Sequence, residues 1–492
     1  MIRKRITAPQ GGWGAPSGSL SRLVNVSRQK DVLNENGGLT NSTSLNACVD
    51  MFFMAGAARH WTDADIEALF QKALAENPLT ALKLMFWVRD VRGGAGERRF
   101  FRVCLKYLER YYLGYLKKNA HLIPEYGRWD DVFELDKDVY MPLVKDGFEN
   151  KNGLLGKWAP RKGSVANVIR KSLGLSPKDY RKTIVSLSQT VEQLMCAKQF
   201  EGINYEHVPS VAMNKYRKAF YRNDSNRFVD YINAVKSGTA KMCAGAIYPY
   251  QLYDAFLKSR SEIDTQAIEA QWYSIPNYME GSTVKLIPMV DTSSSMTWQG
   301  GLPSRVAWSL GVYISERNES IFKDAFMTFA TSPQMLYLKG TVSDRLRAIS
   351  RAPWGGTTNI DAAFSMLLAK AIENQLTEAE MPSIILILSD MQFDPAKTSY
   401  NHTTFEMIKA RYAKAGYKVP KVIFWNLRAE KNNVVASAFD ENVGLVSGFS
   451  PSCLKSILLG EEVQNEDEPK KDTPYELMMK TIDSERYAPV TI

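Results

Sequence analysis

Residues 285–296, KLIPMVDTSSSM, decide the fold of this chain. The apolar run 286–290 gives way abruptly to Asp291, Thr292, Ser293, Ser294 and Ser295. An apolar run bounded by polar turn residues reads as a buried strand that ends in a loop. The loop carries one carboxylate and hydroxyls two residues apart, so it can aim Asp291, Ser293 and Ser295 at a single point. All three are hard oxygen donors, suited to Mg²⁺ first and to Mn²⁺ or Ca²⁺ as alternatives, rather than to zinc.

Two later segments complete this oxygen cup. Gly355-Gly356-Thr357-Thr358-Asn359 precedes an apolar helical pattern over 360–368, and 383–388 is a second apolar run, ending in Ser389-Asp390. Ligands of open parallel sheets gather beyond the carboxyl ends of the strands. The expected set is therefore Asp291, Ser293, Ser295, Thr357 and Asp390, with Thr358 as the alternative to Thr357. This D-x-S-x-S … T … D pattern resembles the metal-ion-dependent adhesion site of von Willebrand factor A domains, whose threonine directly follows the glycine pair.

Working outward, strand-like and helix-like stretches alternate from about residue 282 to 459, the signature of a doubly wound α/β sheet. On the other side the grammar is helical. Helix patterns recur over 45–53, 63–75, 80–91 and 100–115, and short helices with brief loops continue to about 279. The expected architecture is multidomain, α and α/β. It has an arm at 1–40, rich in Gly, Pro, Ser and Asn and read as flexible, and an all-helical region at 41–280, like the irregular helical-repeat (HEAT-like) class. A doubly wound domain with the metal site, resembling a von Willebrand factor A domain, follows at 281–460, and then an acidic tail at 461–492 with a possible docking helix over 475–482. The basic, Gly-rich loop 92–99 lacks the G-x-x-x-x-G-K-[ST] spacing of a phosphate cradle. It reads as a tight helix–helix turn in which Gly93, Gly94 or Gly96 takes a positive φ.

A chain of 492 residues, 45% hydrophobic and 23% charged, is globular and long enough for two or three cores. Its five cysteines show no C-x-x-C spacing, which argues against a zinc site or a disulfide framework and for a reducing, cytoplasmic setting. No apolar h-region follows the basic start and no apolar run approaches a membrane span, so neither a signal peptide nor a membrane partner is expected. Four histidines, none in a recognisable pair, argue against an enzyme.

Charge is unevenly placed. Residues 151–260 hold 19 Lys+Arg against 7 Asp+Glu, a balance of +12 in a chain whose total is +9, so the remainder is net −3. The candidate polyanion-binding residues are Arg161, Lys162, Arg170, Lys171, Lys178, Arg181, Lys182, Lys215, Arg217, Lys218 and Arg222. Lys178, Arg181 and Lys182 share one helical face, and Lys215, Lys218 and Arg222 repeat the arrangement. Tyr180, Tyr205, Tyr216 and Tyr221 are interleaved with them. Cations hold phosphates and aromatic rings stack on unpaired bases.

The stretches KLMFWVRDVRGGAGER (83–98), KWAPRKG (157–163), SLGLSPKDYRK (172–182), YRKAFYRNDSNRF (216–228) and AGAIYPYQL (244–252), with VDTSSSM, GGTTNIDAAF and ILSDMQF, carry a further likeness. Over about residues 40–460 the chain resembles the Ro (TROVE-module) RNA-binding proteins, and more closely an uncharacterised Ro-like family with a C-terminal A domain. The resemblance implies a ring of helical repeats closed by the A domain. It also implies a ribonucleoprotein role, with structured RNA on the outer basic surface and single-stranded ends of misfolded RNA in the central hole. The alternative expectation is a protein-interaction scaffold whose bound metal grips a partner's acidic residue.

Overall fold

The computed structural model describes residues 32–329, 331–351, 355–356, 358–394, 404–459 and 473–492. Helices fill the first half from Ala47 to Tyr273, and a six-stranded sheet flanked by helices fills the second. The strands are β3 (Leu286–Asp291), β4 (Ala325–Phe329), β5 (Gln334–Tyr337), β6 (Ile384–Ser389), β7 (Lys421–Asn426) and β8 (Val443–Ser447), and β1 (Val32–Leu33) and β2 (Leu39–Thr40) form a separate hairpin. The sheet order is β5-β4-β3-β6-β7-β8. All neighbours are parallel except β4 and β5. This is the order of a doubly wound sheet. Every residue of β3, β4, β6 and β8 is buried, as strands covered on both faces must be.

Chain direction across the sheet reverses between β3 and β6, which pair from Leu286↔Ile384 to Val290↔Leu388. A doubly wound sheet opens its ligand crevice at that reversal, beyond the strand ends. Asp291 closes β3 and Ser389 closes β6, so the sequence places its oxygen donors at the crevice.

The two halves share one apolar core. It runs from Phe52, Phe53 and Trp87 through Tyr253 and Trp272 into β3, β6 and β7. A second core, around Tyr205, Phe220, Phe228 and Ile232, belongs to the helical half alone. The two ends of the helical half also meet. Gly96, at φ +70°, lies against the Tyr248 hydroxyl, where a Cβ would overlap it, and so it is the glycine of the 92–99 loop that requires a left-handed backbone. Tyr250 then packs edge-on against Phe449 of the sheet domain, ring centroids 5.8 Å apart. Gly56 closes the other contact, its N–H donating to Ser447 Oγ at 3.0 Å while its missing side chain lets the backbone rest on Ser447 and Gly448.

Both flanking segments differ from a simple tail. Residues 1–31 of the expected arm, and 460–472 of the acidic stretch, lie outside the described residues. Residues 32–40 are not a mobile arm but a hairpin tied to the sheet domain. Asn34 Nδ2 donates to Phe393 O at 2.8 Å, Glu35 N to Gln392 Oε1 at 2.9 Å, and Thr40 Oγ1 to Val434 O at 3.0 Å. The helix Pro474–Ile482 exists and docks, burying Leu477, Met478 and Ile482. Its continuation crosses to the helical half. Arg486 and Tyr487 both donate to the buried Asp90 carboxylate, Lys83 pairs with Asp483 at 2.8 Å, and Asn119 exchanges hydrogen bonds with Thr491.

Candidate functional site

The oxygen cup is assembled from three distant segments. Asp291 is fully buried, accepts from Ser293 N at 2.8 Å and from Ser389 Oγ at 2.5 Å, and so faces β6 from the end of β3. Ser293 Oγ and Ser295 Oγ are 3.0 Å apart. Asp390 is fully buried and accepts from Gln392 N at 3.3 Å. The glycine loop is tied in by Gly355 N donating to Thr292 O at 2.8 Å, and Thr358 O accepts from Asp394 N at 3.2 Å. Asp291, Ser293, Ser295 and Asp390 therefore meet as the sequence requires. Thr357 lies outside the described residues, whereas Thr358, the alternative, is buried with its hydroxyl unpartnered.

Electrostatics point the same way. Burial, and then the charge of Asp390, push the Asp291 carboxyl up from its usual range to about 7. Burial also raises Asp390, against the opposing hydrogen bonds of Ser295 and Gln392 and the charge of Arg428. A second buried carboxylate beside Asp291 thus raises it further, an environment that a cation would relieve. Arg428 Nη1 stands 3.7 Å from Asp390 Oδ2, an oxygen without a hydrogen-bond partner. Among the described residues no group of three or more His, Cys, Asp or Glu is placed to hold a metal. The cup instead offers two carboxylates and Ser/Thr hydroxyls, a donor set that fits a hard divalent ion.

Sequence reasoning missed the rim. Arg428 is held by Glu35 of the hairpin, 3.1 Å from each carboxylate oxygen, and by Glu430 at 2.8 Å. Its guanidinium lies 4.7 Å over the ring of Trp298, a partly exposed residue that follows the serine loop, and His60 of the helical half meets that ring edge-on at 4.8 Å. Apart from the neighbouring Glu430, these partners are distant in sequence, and no local pattern announces them.

The basic block divides into exposed and buried members. Arg161, Lys162, Lys171, Lys178, Arg181, Lys182, Lys215, Lys218 and Arg222 are exposed. Arg170 is half-buried and donates to Leu175 O at 3.1 Å. Arg217 corrects the expectation: it is buried, with Nε 2.6 Å from Asp264 Oδ1, and so serves as an internal ion pair rather than a phosphate contact. Tyr180 and Tyr205 are core residues, Tyr216 is half-buried, and Tyr221 is exposed. Lys178, Arg181 and Lys182 project from the helix Pro177–Ser188, and Lys215, Lys218 and Arg222 from the helix Ser210–Asn223, which packs on the second core.

A decisive contrast lies between these cations and those of the helix Arg98–Tyr111. There Arg98, Arg99, Arg102, Lys106 and Arg110 each meet a carboxylate, from Asp130, Asp63, Asp131, Glu109 and Glu67 respectively. Of the nine exposed members of the 161–222 set, only Lys218 has an acidic partner among the described residues, Asp264 at 3.3 Å. One stripe is neutralised and the other presents uncompensated charge.

Comparison with known proteins places a boundary where the structure does. Residues 34–124 and 160–282 match a family described as a domain of unknown function (DUF2828), and residues 285–492 match another so described (DUF7788). The join falls just ahead of β3. The chain is 29% identical over 491 residues to uncharacterized protein L728 of Acanthamoeba polyphaga mimivirus, covering 87% of this chain and 84% of that protein. The crystal structure of the Deinococcus radiodurans RO (RSR) protein aligns with a TM-score of 0.42 at 13% identity, over 85% of this chain and 100% of that one. Among the described residues no helix is long and apolar enough to cross a membrane.

Proposed function

We propose that this chain is a Ro-like RNA-binding protein that takes structured or misfolded RNA on the 161–222 face of its helical half. The carrying observation is the uncompensated charge. Eight exposed cations, Arg161, Lys162, Lys171, Lys178, Arg181, Lys182, Lys215 and Arg222, have no carboxylate partner among the described residues. Phosphates of RNA neutralise such charges and release counterions, so binding falls as salt rises. The test is a mobility-shift titration with a structured RNA over a range of salt. Charge reversal at Lys178, Arg181 and Lys182 together should lower the log–log salt slope by roughly 0.7–0.9 per lost phosphate contact. An unchanged slope and affinity would refute the reading.

The cup carries a second role, on a different surface. Asp291, Ser293, Ser295 and Asp390, with a hydroxyl from the Thr357–Thr358 pair, would hold a divalent cation of which Mg²⁺ is the best match. When bound, the ion supplies a Lewis-acidic position to which a partner's carboxylate can bind. The unpartnered Asp390 Oδ2 and Thr358 Oγ1 favour this reading. Chelator or Asp291→Ala should abolish capture of an acidic protein partner while RNA binding persists.

A further inference from the structure

A pocket of about 230 Å³ opens between the helix Ser210–Asn223 and the first turn of the helix Glu262–Tyr273. Its wall includes Lys218, Tyr221, Phe228, Arg260 and Asp264. Asp264 is more than nine-tenths buried, and its two oxygens are used unequally. Oδ1 accepts from Arg217 Nε at 2.6 Å, whereas Oδ2 receives no hydrogen bond and has only the Lys218 ammonium, 3.3 Å away. Lys218 is itself mostly exposed and weakly anchored, its Nζ 3.5 Å from Lys258 O. Glu262, the other acid of that first turn, is exposed.

These features divide into a floor that accepts a hydrogen bond and a rim that attracts an anion. The floor is an acceptor oxygen beside the buried edge of Phe228. The rim is an exposed phenol ring, Tyr221, with the cations Lys218 and Arg260. The volume falls below the roughly 300–1,000 Å³ of pockets for drug-sized ligands, which leaves room for one small planar ring. A ligand with an N–H donor on a flat ring and a phosphate attached to it matches both parts.

We propose that this pocket seats one unpaired nucleotide of bound RNA, whose base carries an exocyclic amine. The amine donates to Asp264 Oδ2, Tyr221 stacks on the base, and Lys218 turns from Asp264 to the phosphate beside Arg260. Because Tyr221 occupies the face on which a neighbouring base would stack, a base engaged this way must be out of the duplex. Uracil is disfavoured, since its N3–H is flanked by two carbonyls that repel a carboxylate. This assignment rests on the RNA-binding reading and sharpens it, from a charged face to a site with a base preference.

The test uses the full chain and short labelled oligo(A), oligo(C), oligo(U) and a blunt RNA duplex, measured by fluorescence anisotropy. Tyr221→Ala and Asp264→Asn should weaken oligo(A) and oligo(C) by about tenfold, the scale of one lost stacking contact, and leave oligo(U) and duplex within about twofold. Equal losses on all four ligands, or no loss on any, would overturn the pocket. Asp264→Asn also removes the partner of buried Arg217, so its fold is checked by circular dichroism; Tyr221→Ala alters only an exposed ring and carries the test alone if the other variant unfolds. Should the wild-type chain bind none of the RNAs, the RNA-binding reading falls while the pocket is still judged with AMP as probe. Saturation transfer to the adenine protons that Tyr221→Ala removes supports it, and its absence from the wild type overturns it.

Discussion

Removing one negative charge from the oxygen cup should make the metal-free protein more stable and abolish its stabilisation by metal. Asp291 and Asp390 are both fully buried, and the Asp291 carboxyl is lifted from its ordinary 3.8 to about 7. A tenfold change in proton affinity corresponds to about 1.4 kcal/mol, so ionised Asp291 works against the metal-free fold by roughly 4 kcal/mol at pH 8. The sign follows from proton counting. The native state keeps this proton to higher pH than the unfolded chain does, so stability falls as pH rises from about 4 to about 7 and the full loss is present above that. Asp291→Asn preserves shape, keeps an oxygen to accept from Ser293 N, and deletes the charge. In chelator at pH 8 the variant should therefore unfold at higher denaturant than wild type, by several tenths to about 4 kcal/mol. Mg²⁺ at a hundred times its dissociation constant should raise wild-type stability by about 2.7 kcal/mol and leave the variant unmoved. Urea unfolding followed by tryptophan fluorescence, with and without Mg²⁺, reads both effects. A variant less stable than wild type in chelator, together with a wild type indifferent to Mg²⁺, would refute the cup.

Other outcomes follow from contacts already described. Glu35→Gln removes one of the two carboxylates that hold Arg428, so Arg428 should close further on Asp390 and compete with the ion, reducing the Mg²⁺-induced rise in melting temperature; an undiminished rise would show that Glu35 does not restrain Arg428. Arg486→Ala leaves the buried Asp90 carboxylate short of its main partner and should cost about 2–4 kcal/mol in urea unfolding, since the arginine is partly exposed. Gly96→Ala meets both a left-handed backbone and the Tyr248 hydroxyl, and should destabilise by about 2–3 kcal/mol, partly recovered with Tyr248→Phe.

The cup was legible in sequence because its donors sit at strand ends and a helix start, positions that local apolar patterning marks. Asp291 follows its apolar run directly and Asp390 follows one across Ser389, and the parallel sheet does the rest. The alternation after 282 and the helical grammar before it were legible for the same reason. The rim was not. Arg428 reads as an ordinary loop arginine until Glu35, Glu430 and Trp298 are seen around it. Arg217 stands among surface cations at helical spacing, and only its partner 47 positions later, Asp264, shows that it faces inward. The stripe Arg98–Arg110 looks as basic as the 161–222 face. Its neutrality comes from acids on neighbouring helices, which no charge count along the chain can assign to it. Ion pairing across elements is a tertiary property, and it decided which cations remain available.

The crossed ends of the chain have a practical corollary. The hairpin ahead of the helical half is bound to the sheet domain, and the segment behind the sheet domain is bound to the helical half through Asp90, Lys83 and Asn119. A cut at the join near residue 283 would therefore leave each fragment carrying a strap that belongs to the other and lacking its own. Neither half is a transplantable cassette. A swap of the sheet domain between relatives must bring residues 32–40 along with it and must match the helical half to residues 473–492.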